Sequence, residues 1–422
     1  MTTPLGAPAA DPPRLLRNRP YLLLMSGLTT EAFGAGIAAF AVPLLALAIT
    51  GSVWQAGVVA AVGHVGGLLA TLPAGVVADR VDRRRLLVGT ATVAALAWGS
   101  AGVAALDGHL TAVHLAIVLL ASSVAGAFVE PSVAGALRAV VPAAQLPTAY
   151  AATQGRDAAA SLVAGPVGGV LYGIAHALPL LAGAVGHLVT AVCAALVREP
   201  LNGDTAAARR THPVTALREG LAYVWSVPLF RLCLGLFALI NVLLSGLLVA
   251  VTLSLAEEGV PAPRIGLLSA AVGAAMLAGA VLAPWLVARV RVGRLVPAAL
   301  AMVAVAAAAM ATTQSLPGYV AALVPGVLLV PAANAAMAGY AAAITPPELQ
   351  GRFSSVMDLS VSAALPLAPL VGSGLLALLG IGPTLVVLAA VLGVTVVGTS
   401  CARPLRRVGR PDTWADDAVV VP

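Results

Sequence analysis

The stretch "GVVADRVDRRRLL" (Gly75–Leu87) lies between two long apolar runs. Only 9% of the chain is charged, yet six of the seven residues from Asp79 to Arg85 carry a charge. Such a cluster enters a hydrocarbon layer only at a large cost in free energy. The stretch therefore predicts a short polar loop at a membrane surface, with a membrane-spanning segment on each side.

The composition also predicts a protein that crosses a bilayer several times. The chain has 422 residues, of which 60% are hydrophobic, more than a soluble fold of this length can cover with polar surface. All 23 basic residues are arginine, and their placement beside apolar runs explains the net charge of +6 better than nucleic-acid binding does. The three cysteines have no paired spacing, so neither a disulfide framework nor a metal site is predicted. Residues 1–20 lack the apolar core of a cleavable signal.

Twelve apolar runs are long enough to cross a ~30 Å hydrocarbon layer, which takes roughly 20 helical residues. Backbone groups in lipid must form hydrogen bonds within the segment, so the runs are predicted to be helices. We number them spans 1 to 12 and place them at 21–49, 53–78, 86–106, 111–137, 149–173, 177–197, 229–255, 264–288, 295–314, 318–344, 353–379 and 381–402.

The arginines orient these spans. With the N-terminus in the cytoplasm, 21 of the 23 arginines lie on the cytoplasmic side. The exceptions are Arg264, in a loop on the other side, and Arg156, within span 5. Because loops rich in arginine stay in the cytoplasm, we expect a multi-pass protein of the cell membrane with both termini cytoplasmic.

The longest polar interruption divides the spans into two groups of six. The predicted organisation is a cytoplasmic tail (1–20), an N-terminal six-helix bundle (21–197), a cytoplasmic middle loop (198–228), a C-terminal six-helix bundle (229–402) and a second cytoplasmic tail (403–422). Rare polar residues recur in both halves, since Glu31 and Asn241, Glu130 and Asn334, and Asp157 and Asp358 are 210, 204 and 201 residues apart. The pattern indicates two bundles derived from one repeat.

With this layout, residues 20–402 resemble transporters of the major facilitator superfamily. The resemblance implies an all-α integral membrane protein with 12 transmembrane helices in two pseudo-symmetric six-helix bundles, which moves its substrate by alternating access. The opening stretch is similar to the signature loop of that family. The matching positions are Gly75, Asp79, Arg80, Arg83 and Arg84. Asp82 stands where the family usually has glycine, a variant associated with its drug-efflux-like branch.

The resemblance gives the signature loop a role as a conformational latch. Asp79 is expected to face the positive N-terminal end of span 11, near Arg352, and to hold the bundles together while the cavity opens outward. Arg138, at the cytoplasmic end of span 4, is the other candidate partner of Asp79.

Three further stretches carry the resemblance. "SLVAGPVGG" in span 5 is similar to the antiporter motif of proton-driven exporters at Gly165, Pro166 and Gly169, although Val170 replaces a second terminal glycine. Small residues there permit close packing against a neighbouring helix, and the alternative is an ordinary proline kink. "ALREGLAYVWSVPLFR" (216–231) and "TPPELQGRFSSV" (345–356) are like segments of macrolide- and siderophore-type exporters.

Four ionisable residues within the N-terminal spans are candidates for proton coupling, because a charge in the bilayer interior is costly. They are Glu31 in span 1, Glu130 in span 4, and Arg156 and Asp157 in span 5. Arg156 and Glu130 lie at similar depth and are expected to pair across spans 4 and 5. Glu31 or Asp157 then carries the exchangeable proton, because burial makes a carboxylate easier to protonate. The alternatives are a static polar network that includes Asp157, and a Glu31 that contacts substrate without titrating.

The C-terminal counterparts differ in chemistry. Asn241 and Asn334 cannot titrate, so the first half is predicted to handle protons and the second to form hydrogen bonds in a candidate substrate cavity. Ordinary helix–helix hydrogen bonds are the alternative for both asparagines. Asp358 lies close enough to the membrane surface to be solvated, and His64 in span 2 is expected to be a packed polar residue more than a proton relay.

No nucleophile–base set, metal-ligand spacing or phosphate-binding loop is present, so neither an enzyme nor a cofactor is predicted. The predicted function is proton-coupled efflux of a small amphipathic compound, such as an antibiotic, by a monomer in the bilayer. The alternatives are proton-coupled uptake or exchange of a metabolite, and a transporter-like sensor or assembly protein that carries no flux.

Overall fold

The computed structural model describes residues 15–202 and 213–414. Within these residues, twelve helical segments are long and apolar enough to cross a membrane. The predicted number of spans is therefore confirmed, and the helices form the two six-helix bundles expected for the fold.

The bounds of the spans follow the predicted ones closely, with spans 4, 10 and 11 each made of two helices. In order, the spans are Arg19–Thr50, Val53–Arg80, Arg83–Leu106, Ala112–Ala127 with Val129–Val140, Leu146–Ile174, Leu178–Leu196, Pro228–Glu257, Ala262–Arg289, Val292–Thr313, Leu316–Val327 with Val330–Ile344, Pro347–Ala364 with Leu367–Leu379, and Ile381–Cys401. A helix in the middle loop covers Pro213–Ser226, and a short one follows span 12 at Arg403–Arg407. Single 3₁₀ turns occupy Leu15–Arg17, Ala143–Gln145 and Pro411–Thr413.

Proline causes the interruptions in the divided spans. A proline has no N–H to donate to the carbonyl four residues earlier, so the helix breaks one turn before it. Pro131 and Pro331 stand one turn after the ends of the first helices of spans 4 and 10, and Pro369 plays the same part in span 11. Each of these spans therefore consists of two helices in sequence.

The helix bounds support the repeat. Both ends of span 8 lie 209 residues after the ends of span 2, and both ends of span 10 lie 204 residues after the ends of span 4. The offset falls along the chain, as it does for the polar pairs. The two bundles are therefore copies of one six-helix layout with shorter connections in the second.

The charged stretch after span 2 also contains a helix start. Asp82 is the N-cap of span 3, and its carboxylate accepts a hydrogen bond of 2.9 Å from the backbone N–H of Arg85. This carboxylate satisfies an N–H that has no partner within the helix, a role in which aspartate is among the best residues. The aspartate that replaces the usual glycine of the signature loop thus begins the next span.

The two bundles touch toward one side of the membrane. We call the side at which span 1 begins and span 12 ends the terminal face, and the other side the opposite face. Toward the opposite face, span 5 packs against span 8 and span 2 against the second helix of span 11. Gly57 lies directly against Ser373, and the ring of Trp54 covers Gly374. This face of the molecule is closed.

Toward the terminal face the bundles separate. Within residues 146–159 of span 5, only Ala149 is buried, whereas Ala164, Gly165, Gly168 and Gly169 are buried in the half near the opposite face. The first half of span 5 therefore has no close partner in the other bundle. The conformation described here is open toward the terminal face.

Candidate transport site

Glu31 faces the interior of the N-terminal bundle. Its carboxylate oxygen Oε1 lies 3.4 Å from Nδ1 of His187 in span 6, and the two side chains are 14% and 8% exposed. Spans 1 and 6 pack along most of their length, so the pair lies between two helices of one bundle. Glu31 is therefore held by a partner that the sequence analysis did not identify.

A signal for His187 was present in the sequence. Histidine within a transmembrane span is rare, and it usually has a partner there. His64, in span 2, is exposed, whereas His187 is buried. His187 stands within the apolar run of span 6, four residues after Gly183.

The expected pair of Arg156 with Glu130 was wrong. Arg156 donates hydrogen bonds from Nε (2.9 Å) and Nη2 (2.8 Å) to Oδ1 of its own neighbour, Asp157. Glu130 is exposed and forms no ion pair with Arg156. The physical reason is reach: a guanidinium on a long, flexible stem folds back onto an adjacent carboxylate, although their backbone directions differ by about 100°.

Asn241 and Asn334 share the wall of a cavity in the C-terminal bundle. The cavity has a volume of about 310 Å³ and lies between spans 7, 10 and 11. Its wall is mostly aromatic and apolar, with the two amides and one carboxylate as the main polar groups. The lining residues are Phe230, Cys233, Phe237, Asn241, Asn334, Met337, Ala338, Ala341, Phe353, Ser354, Met357, Asp358 and Val361.

The cavity lies near the ends of spans 7, 10 and 11 at the terminal face. Its residues come from the halves of spans 7, 10 and 11 that are nearest the terminal face, the side on which the bundles separate. The rings of Phe230 and Phe353 pack with their centroids 4.4 Å apart at its edge. Asn241 donates from Nδ2 to the carbonyl of Phe237 (2.9 Å), which leaves its amide oxygen as an acceptor. The cavity offers ring faces, thioethers, an amide acceptor and one carboxylate.

The basic part of the signature loop binds within its own bundle. Arg83 donates from its backbone N–H to the side-chain oxygen of Asn202 (3.0 Å) and from Nη1 to the carbonyl of Leu201 (3.2 Å). Arg84 donates from Nη2 to the carbonyl of Glu199 (2.9 Å). Both arginines thus tie the loop to the segment that leaves span 6.

In this conformation Arg352, the expected partner of Asp79 in the latch, is paired with another residue. Arg352 forms an ion pair of 2.6 Å with Glu219 of the middle-loop helix, so it is not available to Asp79 here. The side chain of Asp79 lies outside the described residues, while Arg80 is exposed. Arg138, the other candidate, donates from Nε to the carbonyl of Ala134 in its own helix (3.1 Å).

The antiporter-like segment of span 5 lies at the contact with span 8. A Cβ placed on Gly165 would lie 2.6 Å from Cβ of Ser269, and one on Gly169 would lie 2.5 Å from the carbonyl oxygen of Ala262. Gly165 also meets the backbone of Gly266 directly. Only glycine fits at these two positions. The segment is therefore part of the seal at the opposite face.

Known proteins were compared with the chain. The model of the family described as Major Facilitator Superfamily matches residues 24–329. A segment of 224 residues is 30% identical to the "Multidrug efflux pump Tap" of Mycolicibacterium fortuitum, covering 51% of this chain and 54% of that protein. A segment of 169 residues is 27% identical to "Macrolide efflux protein A" of Streptococcus pyogenes, covering 40% of each chain. The chain thus matches about half the length of these relatives or less.

Solved structures share the fold over nearly the whole chain. A nucleoside transporter, NupG, superposes with a TM-score of 0.71 at 12% identity, covering 90% of this chain and 98% of that one. A bacterial homologue of the iron transporter ferroportin, in an inward-facing state, superposes with a TM-score of 0.68 at 18% identity, covering 92% and 100%. At these identities the likeness concerns the fold alone.

Proposed function

Because the chain belongs to the major facilitator superfamily, it is a transporter and not an enzyme, and we propose that it exports a small amphipathic compound in exchange for protons. The cavity beside Asn241 and Asn334 carries this proposal. It presents aromatic and thioether surface with a few polar groups, the composition of a site for a mainly apolar small molecule.

The position of the cavity supports loading from the cytoplasm. It lies toward the terminal face, which is the side that the arginines assign to the cytoplasm of a cell membrane. The contacts of Gly165 and Gly169 close the other side. A compound from the cytoplasm thus reaches the cavity in this conformation, and rocking of the bundles releases it at the opposite face.

The energy source in this proposal is the proton gradient. Glu31 and Asp157 are the candidate carriers, because each is a carboxylate within a membrane span beside a basic partner. The partial match of span 5 to the antiporter motif and the similarity to two efflux pumps support exchange over uptake. The cavity and the carboxylates lie in different bundles, so the two fluxes are coupled by the motion that both bundles share.

The test is transport in everted membrane vesicles from a bacterial host that lacks its major efflux pumps. Radiolabelled erythromycin and ethidium serve as probes, after susceptibility profiling of the host with a wider panel. We expect accumulation that depends on an acidic vesicle interior and disappears when nigericin collapses the pH gradient. At least one of Glu31→Gln and Asp157→Asn should abolish this accumulation while the protein remains inserted.

The same vesicles distinguish the alternatives. Proton-coupled uptake predicts accumulation in right-side-out vesicles and none in everted ones. A sensor or assembly protein predicts no flux in either orientation. If both carboxylate variants accumulate the probes normally, the assignment of the coupling residues is wrong even if the protein is an exporter.

A further inference from the structure

The pair formed by Glu31 and His187 differs from the other ion pairs in the described part of the chain. Arg156 and Asp157 are neighbours in one helix, and Asp157 is 49% exposed. Arg352 and Glu219 lie at the membrane surface, 33% and 46% exposed. Glu31 and His187 instead come from two different spans, and both are largely removed from solvent.

The helices around the pair are in backbone contact. A Cβ on Gly186 would lie 2.6 Å from the carbonyl oxygen of Thr30 and 3.1 Å from Cα of Glu31. One turn further along, a Cβ on Gly34 would lie 2.5 Å from the carbonyl oxygen of Ala182. Such close approach brings the backbones of spans 1 and 6 together beside the pair. The two ionisable side chains are thus enclosed by small residues.

The hydrogen-bonding capacity of the pair is largely unused. Oε2 of Glu31 and both ring nitrogens of His187 are buried and have no hydrogen-bond partner among the described residues. At 3.4 Å, Nδ1 and Oε1 are close enough for electrostatic attraction but too far apart for a good hydrogen bond. Buried polar atoms without partners are costly, so their persistence points to a role beyond packing.

The other charged groups near spans 1 and 6 form no ion pair with Glu31 or His187 in the described residues. Span 1 packs against spans 2, 5 and 6, and to a lesser extent against spans 4 and 7. Span 6 also packs against span 3. The ionisable or charged groups within all these spans include Arg19, Tyr21, His64, Arg80, Arg83, Arg84, Arg85, His114, Glu130, Arg138, Tyr150, Arg156, Asp157, Tyr172, Cys193, Arg231, Cys233 and Glu257. None of them forms an ion pair with Glu31 or His187 in the described residues. Within the described residues, each of the two side chains thus has the other as its nearest partner of opposite chemistry.

We infer that Glu31 and His187 form a single proton-binding site, which holds one exchangeable proton between them. Without that proton the pair carries one negative charge, and with a second proton it carries one positive charge; the single-proton state alone is neutral. Both charged states place a net charge between two packed helices, whereas the single-proton state does not. A proton from water on one side adds to the pair, and the same proton leaves to water on the other side when the bundles rock. This inference rests on the proposed proton-driven efflux, and it makes His187 the positioning residue for the proton on Glu31.

The test measures protonation directly and needs no substrate. The full chain is placed in nanodiscs of phosphatidylethanolamine and phosphatidylglycerol, and infrared difference spectra are recorded against pH. The carboxyl band lost in Glu31→Gln and the imidazole band lost in His187→Gln identify the two groups. We expect each single variant to move the titration midpoint of the remaining partner by about one pH unit or more, because the two groups titrate as one system.

Glu130→Gln and His64→Gln are the matched controls, since they remove the same two chemistries from exposed positions. Neither control should move either midpoint. Midpoints that stay in place in Glu31→Gln and His187→Gln would overturn the inference, because the groups would then titrate independently. If Glu31→Gln does not fold, Glu31→Asp replaces it, and the shorter carboxylate should weaken the coupling.

A transport measurement distinguishes a positioning role of His187 from a purely structural one. His187→Gln should keep downhill counterflow of ethidium and lose its acceleration by a pH gradient, while the swapped variant Glu31→His with His187→Glu should regain part of that acceleration. Equal loss of both fluxes, without rescue by the swap, would mean that the histidine only stabilises the bundle. The infrared result stands whether or not ethidium is exported, so failure of the pair and failure of the efflux proposal are distinguishable.

Discussion

The guanidinium of Arg352, at the start of span 11, lies 2.6 Å from a carboxylate oxygen of Glu219 in the middle-loop helix. Next to this pair, the backbone of Gly220 is in contact with the carbonyl of Arg352. The middle-loop helix is therefore fixed to the C-terminal bundle. While the terminal face is open, the carboxylate of Glu219 is paired with Arg352, the arginine that Asp79 of the signature loop was expected to approach.

This relationship leads to a prediction about Asp79. If closing the terminal face brings Asp79 to the start of span 11, Asp79→Asn should slow erythromycin efflux about tenfold or more, because a charge-assisted contact present in only one state is lost. Glu219→Gln should have a much smaller effect, since its ion pair is exposed and such pairs contribute about 1 kcal/mol or less. Drug susceptibility and vesicle transport of both variants measure this. Equal efflux in Asp79→Asn and the parent chain would contradict the latch.

Gly169 supplies a test of the seal at the opposite face. Gly169→Val should block the approach of span 5 to span 8, because even a Cβ would lie 2.5 Å from the carbonyl oxygen of Ala262. We expect loss of proton-driven efflux with normal insertion, together with increased labelling of a cysteine placed at Ser269 by a reagent added from outside. Gly155→Ala in the same span is the control, because no atom lies within 4 Å of a Cβ there. Retained transport and unchanged labelling in Gly169→Val would show that the contact is dispensable.

The cavity of the C-terminal bundle should determine which compounds are exported. Asn334→Leu removes a polar group from its wall, and we expect the apparent affinity for erythromycin to fall about fivefold to a hundredfold, the effect of losing one buried hydrogen bond. Asp358→Asn should change the relative export of cationic and neutral compounds, because it removes the carboxylate of that cavity. Leu239→Ala, at an exposed position of span 7, should leave both unchanged. An unaltered export profile in both cavity variants would place the substrate elsewhere.

Variants of Arg156 and Asp157 can show whether the carboxylate of Asp157 forms a static ion pair or exchanges a proton. Asp157→Asn alone leaves the largely buried guanidinium of Arg156 without its partner, and an unpaired buried charge is strongly destabilising. The double variant Arg156→Gln with Asp157→Asn removes both charges, and we expect it to recover thermal stability and most of the transport. A double variant that is stable but inactive would instead identify Asp157 as a proton carrier.

The orientation can be tested with a cysteine of the chain. Cys401 is exposed at the terminal-face end of span 12. A membrane-impermeant maleimide should label it only after intact cells are permeabilised. Asp107→Cys, in the loop after span 3, should be labelled in intact cells when Cys401 is replaced by serine. The reverse labelling pattern would mean that the terminal face lies outside the cell. The proposed direction of transport would then be reversed as well.

The sequence was sufficient for the parts of the fold that depend on hydropathy and spacing. Span 2 was predicted at 53–78 and covers Val53–Arg80, because the apolar run itself sets the length of the helix. The directions of side chains could not be predicted from the sequence as well as the helix bounds. Arg156 and Glu130 were paired from depth alone, and depth does not tell which way a long side chain folds. His187 was not predicted, because its partner Glu31 is 156 residues away in the chain and no local spacing links the two; the role of Glu31 stays a prediction.

The seal at the opposite face has a further consequence. Among the contacts that join the bundles there are those of Trp54, Gly57, Gly165 and Gly169 with small or backbone partners. The terminal face carries the arginine-rich loop and the ion pair of Arg352 with Glu219. Dissolved salt screens charges over about 8 Å at physiological strength and leaves van der Waals contacts unaffected. If Asp79 and Arg352 form the latch, closure of the terminal face depends on the ionic strength of the solution beside it, whereas the seal at the opposite face does not.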